Sequence, residues 1–204
     1  MRALVLVDLQ RDFLPGGALA VPRGDEVIAV ANRLVPRFDL VVATRDSHPA
    51  GHKSFASSHP GRAVGDVIDL DGLPQVLWPD HCVQGTPGSE LAAGLDTGPI
   101  AEVFVKGTDP AIDSYSGFFD NGHRKSTGLA DWLRARGVDE VSVLGLATDY
   151  CVKWTVLDAI ELGFRATLVA DGCRGVELNP GDSARAVDEM RGAGAVVTSS
   201  DHVT

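Results

Sequence analysis

The sequence predicts an α/β fold: an open, doubly wound, mainly parallel sheet of six strands with helices on both faces. Two observations predict it. Short apolar, β-branched runs alternate along the chain with amphipathic segments of helical periodicity. Most of these runs are apolar almost throughout, which is typical of parallel strands covered on both faces. Regular alternation of strand and helix with short connections then favours a parallel sheet covered by helices.

The elements follow from these patterns in order. In the helical segment 25–38, four apolar residues fall on one face: Val27, Ala31, Leu34 and Val35. The helical segment 127–136 is expected to be capped by Thr127 and ended by Gly137. The strands are predicted at 3–7, 40–44, 102–106, 140–146, 165–170 and 195–199. The helices are predicted at 25–38, 127–136, 149–162 and 183–191.

Length and composition indicate one globular domain over residues 1–204. Hydrophobic residues make up 44% and charged residues 23%, so wholesale disorder is excluded. The net charge of −10 argues against nucleic acid or an anionic membrane as the main partner and is compatible with a small-molecule substrate. The oligomeric state, monomer or homo-oligomer, stays open.

The same features predict a cytoplasmic protein. No run approaches the ~20 apolar residues that span a bilayer. The apolar run at the N-terminus stops at Asp8 and is too short for a secretory signal. Three cysteines, an odd and sparse set, indicate reduced thiols, and Cys173 is interpreted as structural.

Reactive side chains follow four of the predicted strands where those strands end. Asp8 follows the first strand, Asp46 and His48 follow the second, Lys106 ends the third and Cys151 lies just past the fourth. Ligands of open α/β sheets bind outside the carboxyl ends of the strands. Two long connections, 45–88 and 107–126, are rich in His, Asp, Gly and aromatic residues, as functional loops often are. We therefore expect one site at this edge of the sheet.

Cys151 is the candidate nucleophile of that site. It lies at a turn from strand into helix, where the positive end of the helix dipole is expected to lower the pKa of its thiol. The alternative is a small buried hydrophobe. Asp8 and Lys106 would complete a coupled charge cluster with the thiol. Taken singly, helix capping explains Asp8 equally well, and a lysine at a strand end usually reaches solvent.

Asp46, His48 and His81 are candidate metal ligands. Asp46 and His48 are two residues apart, so an extended backbone can aim both side chains the same way. One carboxylate and two imidazoles suit a divalent zinc, iron or manganese ion. The role of His52 stays open between a fourth metal ligand and a residue that supports the ligands without binding the metal. The alternative for these loop histidines is that they are merely solvated.

Aromatic side chains near the same edge indicate a flat, heteroaromatic ligand, although any of them would also suit the core. They are Phe13, Trp78, Tyr115 and Tyr150.

These residues stand in segments that resemble the nicotinamidase/pyrazinamidase branch of the isochorismatase-like cysteine hydrolases. The resemblance runs almost end to end, and the Trp-Pro-x-His-Cys-Val segment separates this branch from other members of the superfamily. The matching segments include Val7-Asp8-Leu9-Gln10-Arg11-Asp12-Phe13, Thr44-Arg45-Asp46-Ser47-His48-Pro49, Trp78-Pro79-Asp80-His81-Cys82-Val83, Lys106-Gly107, Tyr115-Ser116-Gly117-Phe118 and Gly145-Leu146-Ala147-Thr148-Asp149-Tyr150-Cys151-Val152.

The resemblance implies a role for each of these groups. It implies a catalytic triad of Asp8, Lys106 and Cys151, and an oxyanion hole formed by the N–H groups of Ala147 and Cys151. A cis peptide bond between Leu146 and Ala147 is implied as well. The implied ligands of one divalent metal ion (Zn, Fe or Mn) are Asp46, His48 and His81, with His52 undecided. The implied substrate contacts are Phe13, Leu19, Trp78, Tyr115 and Ala147, and Tyr150 lies at a position that varies among relatives.

The resemblance also implies an amide hydrolase that converts nicotinamide to nicotinate and ammonia, and pyrazinamide to pyrazinoate, through a cysteine thioester. Two alternatives remain at this point. One is a related amidohydrolase acting on a carbamoyl or ureido substrate. The other is a metal-binding, redox-sensing module in which the thiol is regulatory. The sequence ranks neither the metals nor the two amides.

Overall fold

The computed structural model describes residues 1–203, and six of its eight strands form one parallel sheet. The eight strands are β1 (Arg2–Val7), β2 (Val41–Asp46), β3 (Val67–Leu70), β4 (Leu73–Val76), β5 (Ile100–Lys106), β6 (Glu140–Leu146), β7 (Arg165–Arg174) and β8 (Val196–Thr198). The helices are α1 (Glu26–Leu34), α2 (Leu129–Arg134), α3 (Lys153–Glu161) and α4 (Asp182–Ala193). Strands β3 and β4 form a separate antiparallel hairpin.

The strand order β5-β2-β1-β6-β7-β8 makes the sheet doubly wound, which confirms the predicted fold class. From β1 the chain crosses to β2 on one side, and from β6 it crosses to β7 on the other side. Because such crossovers are right-handed, the two directions put α1 and α3 on opposite faces of the sheet. Adjacent β1 and β6 flank the point where the winding reverses, and a ligand crevice is expected there.

The core lies where the sheet is covered on both faces. From Ala3 to Val7, every residue of β1 is buried, so successive side chains pack into opposite layers. β5 differs, because it forms one edge of the sheet and leaves Val105 exposed. The near-continuous apolar pattern therefore predicts the two-sided burial of β1 correctly but not the partial exposure of β5.

Several predicted boundaries were wrong for local reasons. The first helix ends at Leu34, and Pro36 lies in a 3₁₀ turn that follows. The residue directly before α2 is Gly128, in the left-handed region, and not Thr127. The Thr127 hydroxyl oxygen still accepts from the N–H of Leu129, the first residue of α2, at 3.2 Å, and the hydroxyl donates to the carbonyl of Gly117 at 2.7 Å. The long connection 45–88 contains the β3–β4 hairpin, for which no strand was predicted.

Among residues 1–203, no helix combines the length and apolar composition needed to cross a lipid bilayer.

Candidate active site

The side chains of Asp8, Lys106 and Cys151 meet at the carboxyl ends of β1, β5 and β6. Lys106 Nζ lies 2.8 Å from Asp8 Oδ2 and 3.4 Å from Cys151 Sγ. All three residues are buried. Residues nearly 150 positions apart in the chain are thus held within contact distance by the parallel strands. The structure brings together the three groups that the sequence places at strand ends.

Lys106 is the centre of this cluster. Its ammonium group also donates to Asp46 Oδ1 at 2.6 Å and to the carbonyl oxygen of Ser114 at 2.8 Å. Burial alone would lower the pKa of Lys106, but the charges of Asp46, Asp8 and Cys151 raise it well above its usual value. Lys106 is therefore a fixed cation between two carboxylates and a thiol.

The thiol of Cys151 has the opposite pKa shift from the one predicted. Burial raises its pKa well above the usual value, and the Lys106 charge opposes that rise only in part, while Asp8 and Asp46 add to it. The expected lowering by a helix dipole was wrong, because Cys151 lies in a π-helical turn (Thr148–Val152) buried beside two carboxylates. The resting thiol is protonated.

Asp8 is the group positioned to take that proton. Its Oδ1 accepts a hydrogen bond from the Thr44 hydroxyl at 2.6 Å. Burial raises the pKa of the Asp8 carboxyl, with Lys106 opposing the rise. A carboxylate with a raised pKa is a stronger base than a free one, and it adjoins Cys151. The peptide bond between Leu146 and Ala147, which leads into the turn, is cis as the resemblance implies.

Asp46, His48 and His81 form a compact group of possible metal donors. One donor atom from each lies within 4.8 Å of the others. His48 Nδ1 is hydrogen-bonded to the Gly107 carbonyl at 3.0 Å and His81 Nδ1 to the Pro79 carbonyl at 2.8 Å. Each carbonyl accepts the Nδ1 proton, which leaves the Nε2 lone pair facing Asp46.

The donor chemistry of this group fits a divalent cation. His48 Nε2 is buried and has no hydrogen-bond partner among residues 1–203. Burial lowers the pKa of His81, so its imidazole stays neutral and can ligate. Burial would raise the pKa of Asp46, but Lys106, His48 and His81 lower it strongly, so this carboxyl stays ionised. Burial would lower the pKa of His48, but the Asp46 carboxylate raises it, so a cation that binds Nε2 would displace a proton. A carboxylate and two imidazole nitrogens are a common ligand set.

A narrow pocket joins the thiol to the candidate metal ligands. The Trp78 and Tyr150 rings meet edge to face with centroids 4.7 Å apart, and Trp78 Nε1 donates to the Tyr115 hydroxyl at 3.1 Å. Apolar walls with a few polar groups suit a small flat ligand. The lining residues are Phe13, Leu19, Asp46, Trp78, His81, Asp113, Tyr115, Ala147, Tyr150, Cys151 and Val176.

Residues 2–202 match the family model described as Isochorismatase domain. The chain belongs to the isochorismatase family. A nicotinamidase of Escherichia coli (strain K12) is 56% identical over 96% of this chain and 93% of its own length.

Solved structures of the family have the same architecture. The nicotinamidase/pyrazinamidase of Acinetobacter baumanii superposes with a TM-score of 0.96 at 44% identity, covering 98% of this chain and 96% of its own. The yeast nicotinamidase bound to the inhibitor nicotinaldehyde gives 0.91 at 31% identity, covering 98% and 100%. The Pyrococcus horikoshii pyrazinamidase in complex with zinc gives 0.79 at 40% identity, covering 97% and 98%.

His52 lies beside the metal-donor group, but both of its ring nitrogens are in hydrogen bonds. Nδ1 is 2.8 Å from the Ser54 hydroxyl and Nε2 is 2.7 Å from the Asp109 carbonyl. Its ring packs against that of His48, with centroids 4.5 Å apart. This arrangement favours a supporting position behind His48.

Sequence reasoning missed Asp113 and Gln10 in this isochorismatase-family site. Asp113 is buried, lines the cavity and places Oδ1 3.9 Å from His48 Nε2. Gln10 is fully buried; its Nε2 donates at 2.8 Å to the carbonyls of Asp46 and Ser89, and its Oε1 accepts from Asp46 N at 2.8 Å. The only available signal was that each polar residue lies close in sequence to a predicted one.

We expect Gln10→Ala to lower the free energy of unfolding by about 2–4 kcal/mol and Tm by about 5–15 °C, because three buried backbone groups lose their partner. It should also weaken metal retention, since the backbone of Asp46 loses the two hydrogen bonds from Gln10 that hold it in position. Thermal unfolding and metal content after dialysis measure these effects. Gln84→Ala, which removes one bond to the Ser47 carbonyl at 2.9 Å, is the control. Equal losses in both variants would contradict the positioning role.

Proposed function

We propose that the chain is a nicotinamidase: an amide hydrolase that converts nicotinamide to nicotinate and ammonia, and pyrazinamide to pyrazinoate. The observation that carries the proposal is one arrangement. Lys106 links Asp8 to the thiol of Cys151 at the wall of an aromatic cavity, and a metal-donor group forms part of the same wall. Full-length likeness to the nicotinamidases of Escherichia coli and Acinetobacter supports it.

In this proposal Asp8, Lys106 and Cys151 form the catalytic triad. Asp8 takes the thiol proton as the sulfur of Cys151 attacks the carboxamide carbon, and Lys106 stabilises the negative charge that results. The N–H groups of Ala147 and Cys151 form the oxyanion hole, where one donor is typically worth about 3–4 kcal/mol in the barrier. Protonated Asp8 gives its proton to the departing ammonia.

The second half of the reaction returns the thiol. Asp8, again ionised, takes a proton from a water molecule, whose oxygen attacks the thioester carbon. The C–S bond breaks, and the proton on Asp8 returns to the sulfur of Cys151. The second proton of the water stays on the product carboxyl group and is lost to solvent, so the product leaves as nicotinate. The high pKa of the thiol suits this step, because the sulfur recovers its proton readily.

We propose that Asp46, His48 and His81 hold one divalent ion, zinc, iron or manganese, and that His52 supports His48 without ligating. Asp113 Oδ1 lies 3.9 Å from His48 Nε2 and would support that imidazole. When bound, the ion supplies a Lewis acid that orients the pyridine nitrogen of the substrate. Phe13, Leu19, Trp78, Tyr115 and Tyr150 would then contact the ring.

We place the chain in the cytoplasm as a single domain, residues 1–204, acting in pyridine nucleotide salvage. Its three cysteines are free and buried, and its net charge of −10 argues against nucleic acid or an anionic membrane as the main partner. The proposal is compatible with a monomer or a homo-oligomer.

Ammonia release provides the test. The metal-supplied protein should turn nicotinamide over many times, and kcat/KM for benzamide, which lacks the ring nitrogen, should be lower by about 10²-fold or more. A redox-sensing module would release no ammonia at any metal loading. An enzyme for carbamoyl or ureido substrates would prefer those compounds to nicotinamide. Either result would overturn the proposal, as would equal use of benzamide.

A further inference from the structure

A second cavity, of about 190 Å³, shares the wall formed by Tyr115 with the proposed substrate pocket. Leu73 and Pro74 of the β3–β4 hairpin form one side of it, and Trp154 of α3 forms another. Trp154 is 39% exposed, which is unusual for such a large apolar side chain. None of the residues that we assign to catalysis or metal binding lines this cavity.

The cavity contains a buried carboxylate that is only partly satisfied. The side chain of Asp158 is 4% exposed, and its Oδ1 lies 3.2 Å from His123 Nε2. Asp158 Oδ2 is buried and has no hydrogen-bond partner among residues 1–203. Burial raises the pKa of Asp158, and the neighbouring Ser116 hydroxyl and His123 oppose that rise. A buried acceptor without a donor costs free energy, so a ligand that donates to Oδ2 would bind favourably.

The walls specify the charge and shape of that ligand. Asp120 adds a second carboxylate to the lining, so an anion would be repelled. Aromatic faces attract cations, and the Trp154 ring lines the cavity. Apolar walls on both sides favour a ligand with a flat apolar body behind its charged group.

A bare metal ion is the competing occupant. Donor atoms of His123, Asp158 and Glu161 lie within 4.8 Å of one another. His123 and Glu161 are exposed, however, and the cavity is far larger than one ion. The apolar walls would gain nothing from a hydrated ion, so the observations favour an organic ligand.

We propose that this cavity binds a small organic cation, a primary ammonium or amidinium on an aromatic or aliphatic body, with Asp158 as its anionic partner. Tyr115 couples the two sites, since its hydroxyl accepts hydrogen bonds from Trp78 Nε1 and Gln75 Nε2, both at 3.1 Å. A ligand against this ring should change KM for the substrate more than kcat. The proposal does not depend on which amide the enzyme hydrolyses.

Benzylamine is the probe, and its neutral counterpart benzyl alcohol is the control ligand. The three tryptophan indole N–H resonances of the full chain report the location: Trp154 for this cavity, Trp78 for the substrate pocket and Trp132 on α2 for neither. Benzylamine should shift the Trp154 resonance and bind about tenfold more tightly than benzyl alcohol, because only its ammonium pairs with the carboxylate.

Asp158→Asn should remove that tenfold preference, and Trp154→Ala, a change at the surface, should weaken both ligands. Asp188→Asn, an exposed carboxylate on α4 paired with Arg191, should change neither affinity. Shifts confined to Trp78, equal binding of benzyl alcohol, or a preference retained in Asp158→Asn would overturn the proposal. So would a Trp154 shift with stoichiometric ZnCl₂ and none with benzylamine, which would indicate a metal site.

Discussion

Cys151→Ala is expected to lower kcat for nicotinamide by about 10⁴-fold or more, because the covalent route disappears and no other group is placed to attack the carboxamide. Metal content should stay at the wild-type level, since the thiol is not among the proposed ligands Asp46, His48 and His81. Steady-state ammonia release and elemental analysis of the same preparation measure the two quantities.

Cys173→Ala is the matched control, because Cys173 is also buried and free, and burial raises the pKa of its thiol to about 12. It lies near the end of β7, outside the proposed substrate pocket, so its removal should leave kcat within about twofold of the wild type. Substantial turnover by Cys151→Ala would end the thioester mechanism. Loss of metal in that variant would place the sulfur among the ligands.

The buried, protonated thiol explains why the triad needs both partners. A free thiolate beside Asp8 and Asp46 would face two like charges in a site of low dielectric. Transfer of the proton to Asp8 keeps the number of negative charges in the cluster constant, and Lys106 stays close to both atoms that exchange it. The nucleophile is thus generated only during attack, when the charge moves on to the substrate.

The positions of the reactive groups were predictable because a parallel sheet converts sequence order into spatial order. Once Asp8, Asp46, Lys106 and Cys151 fall at the ends of four predicted strands, the doubly wound topology brings them to one edge. Burial on both faces leaves a strong apolar signal in the sequence, as in β1. The fold class and the cluster of reactive side chains could therefore be predicted from the strongest pattern in the sequence, the apolar runs of the buried strands.

The supporting residues were not predictable, because their bonds cross the fold. Gln10 binds backbone groups of residues 46 and 89, and Thr44 binds Asp8, contacts that no local spacing encodes. The dipole argument for Cys151 failed for a similar reason. It used the local turn alone, whereas the pKa of the thiol is set by burial and by charges at the carboxyl ends of β1, β2 and β5.

Lys106→Met should abolish nicotinamide turnover and lower the free energy of unfolding at neutral pH by about 3–5 kcal/mol, the typical cost of leaving buried charges unpaired. Lys106 is the cation in direct contact with both Asp8 and Asp46, at 2.8 and 2.6 Å. Methionine keeps the volume of the side chain, so the loss reports charge and hydrogen bonding and not a cavity. Urea unfolding and ammonia release are the measurements.

The instability of Lys106→Met should shrink in acid. Burial raises the pKa of Asp8 even with Lys106 opposing it, so removing the lysine raises that pKa further. An acid whose pKa is higher in the folded state destabilises the fold above its unfolded pKa, and the penalty fades as falling pH protonates it. The difference from the wild type should therefore decrease from about pH 8 to about pH 5. Lys153→Met, which breaks a peripheral ion pair with Glu189, should cost about 1 kcal/mol or less at every pH. A pH-independent deficit in Lys106→Met would mean that Asp8 is already neutral beside the lysine, and that the loss comes from hydrogen bonds such as the one to the Ser114 carbonyl.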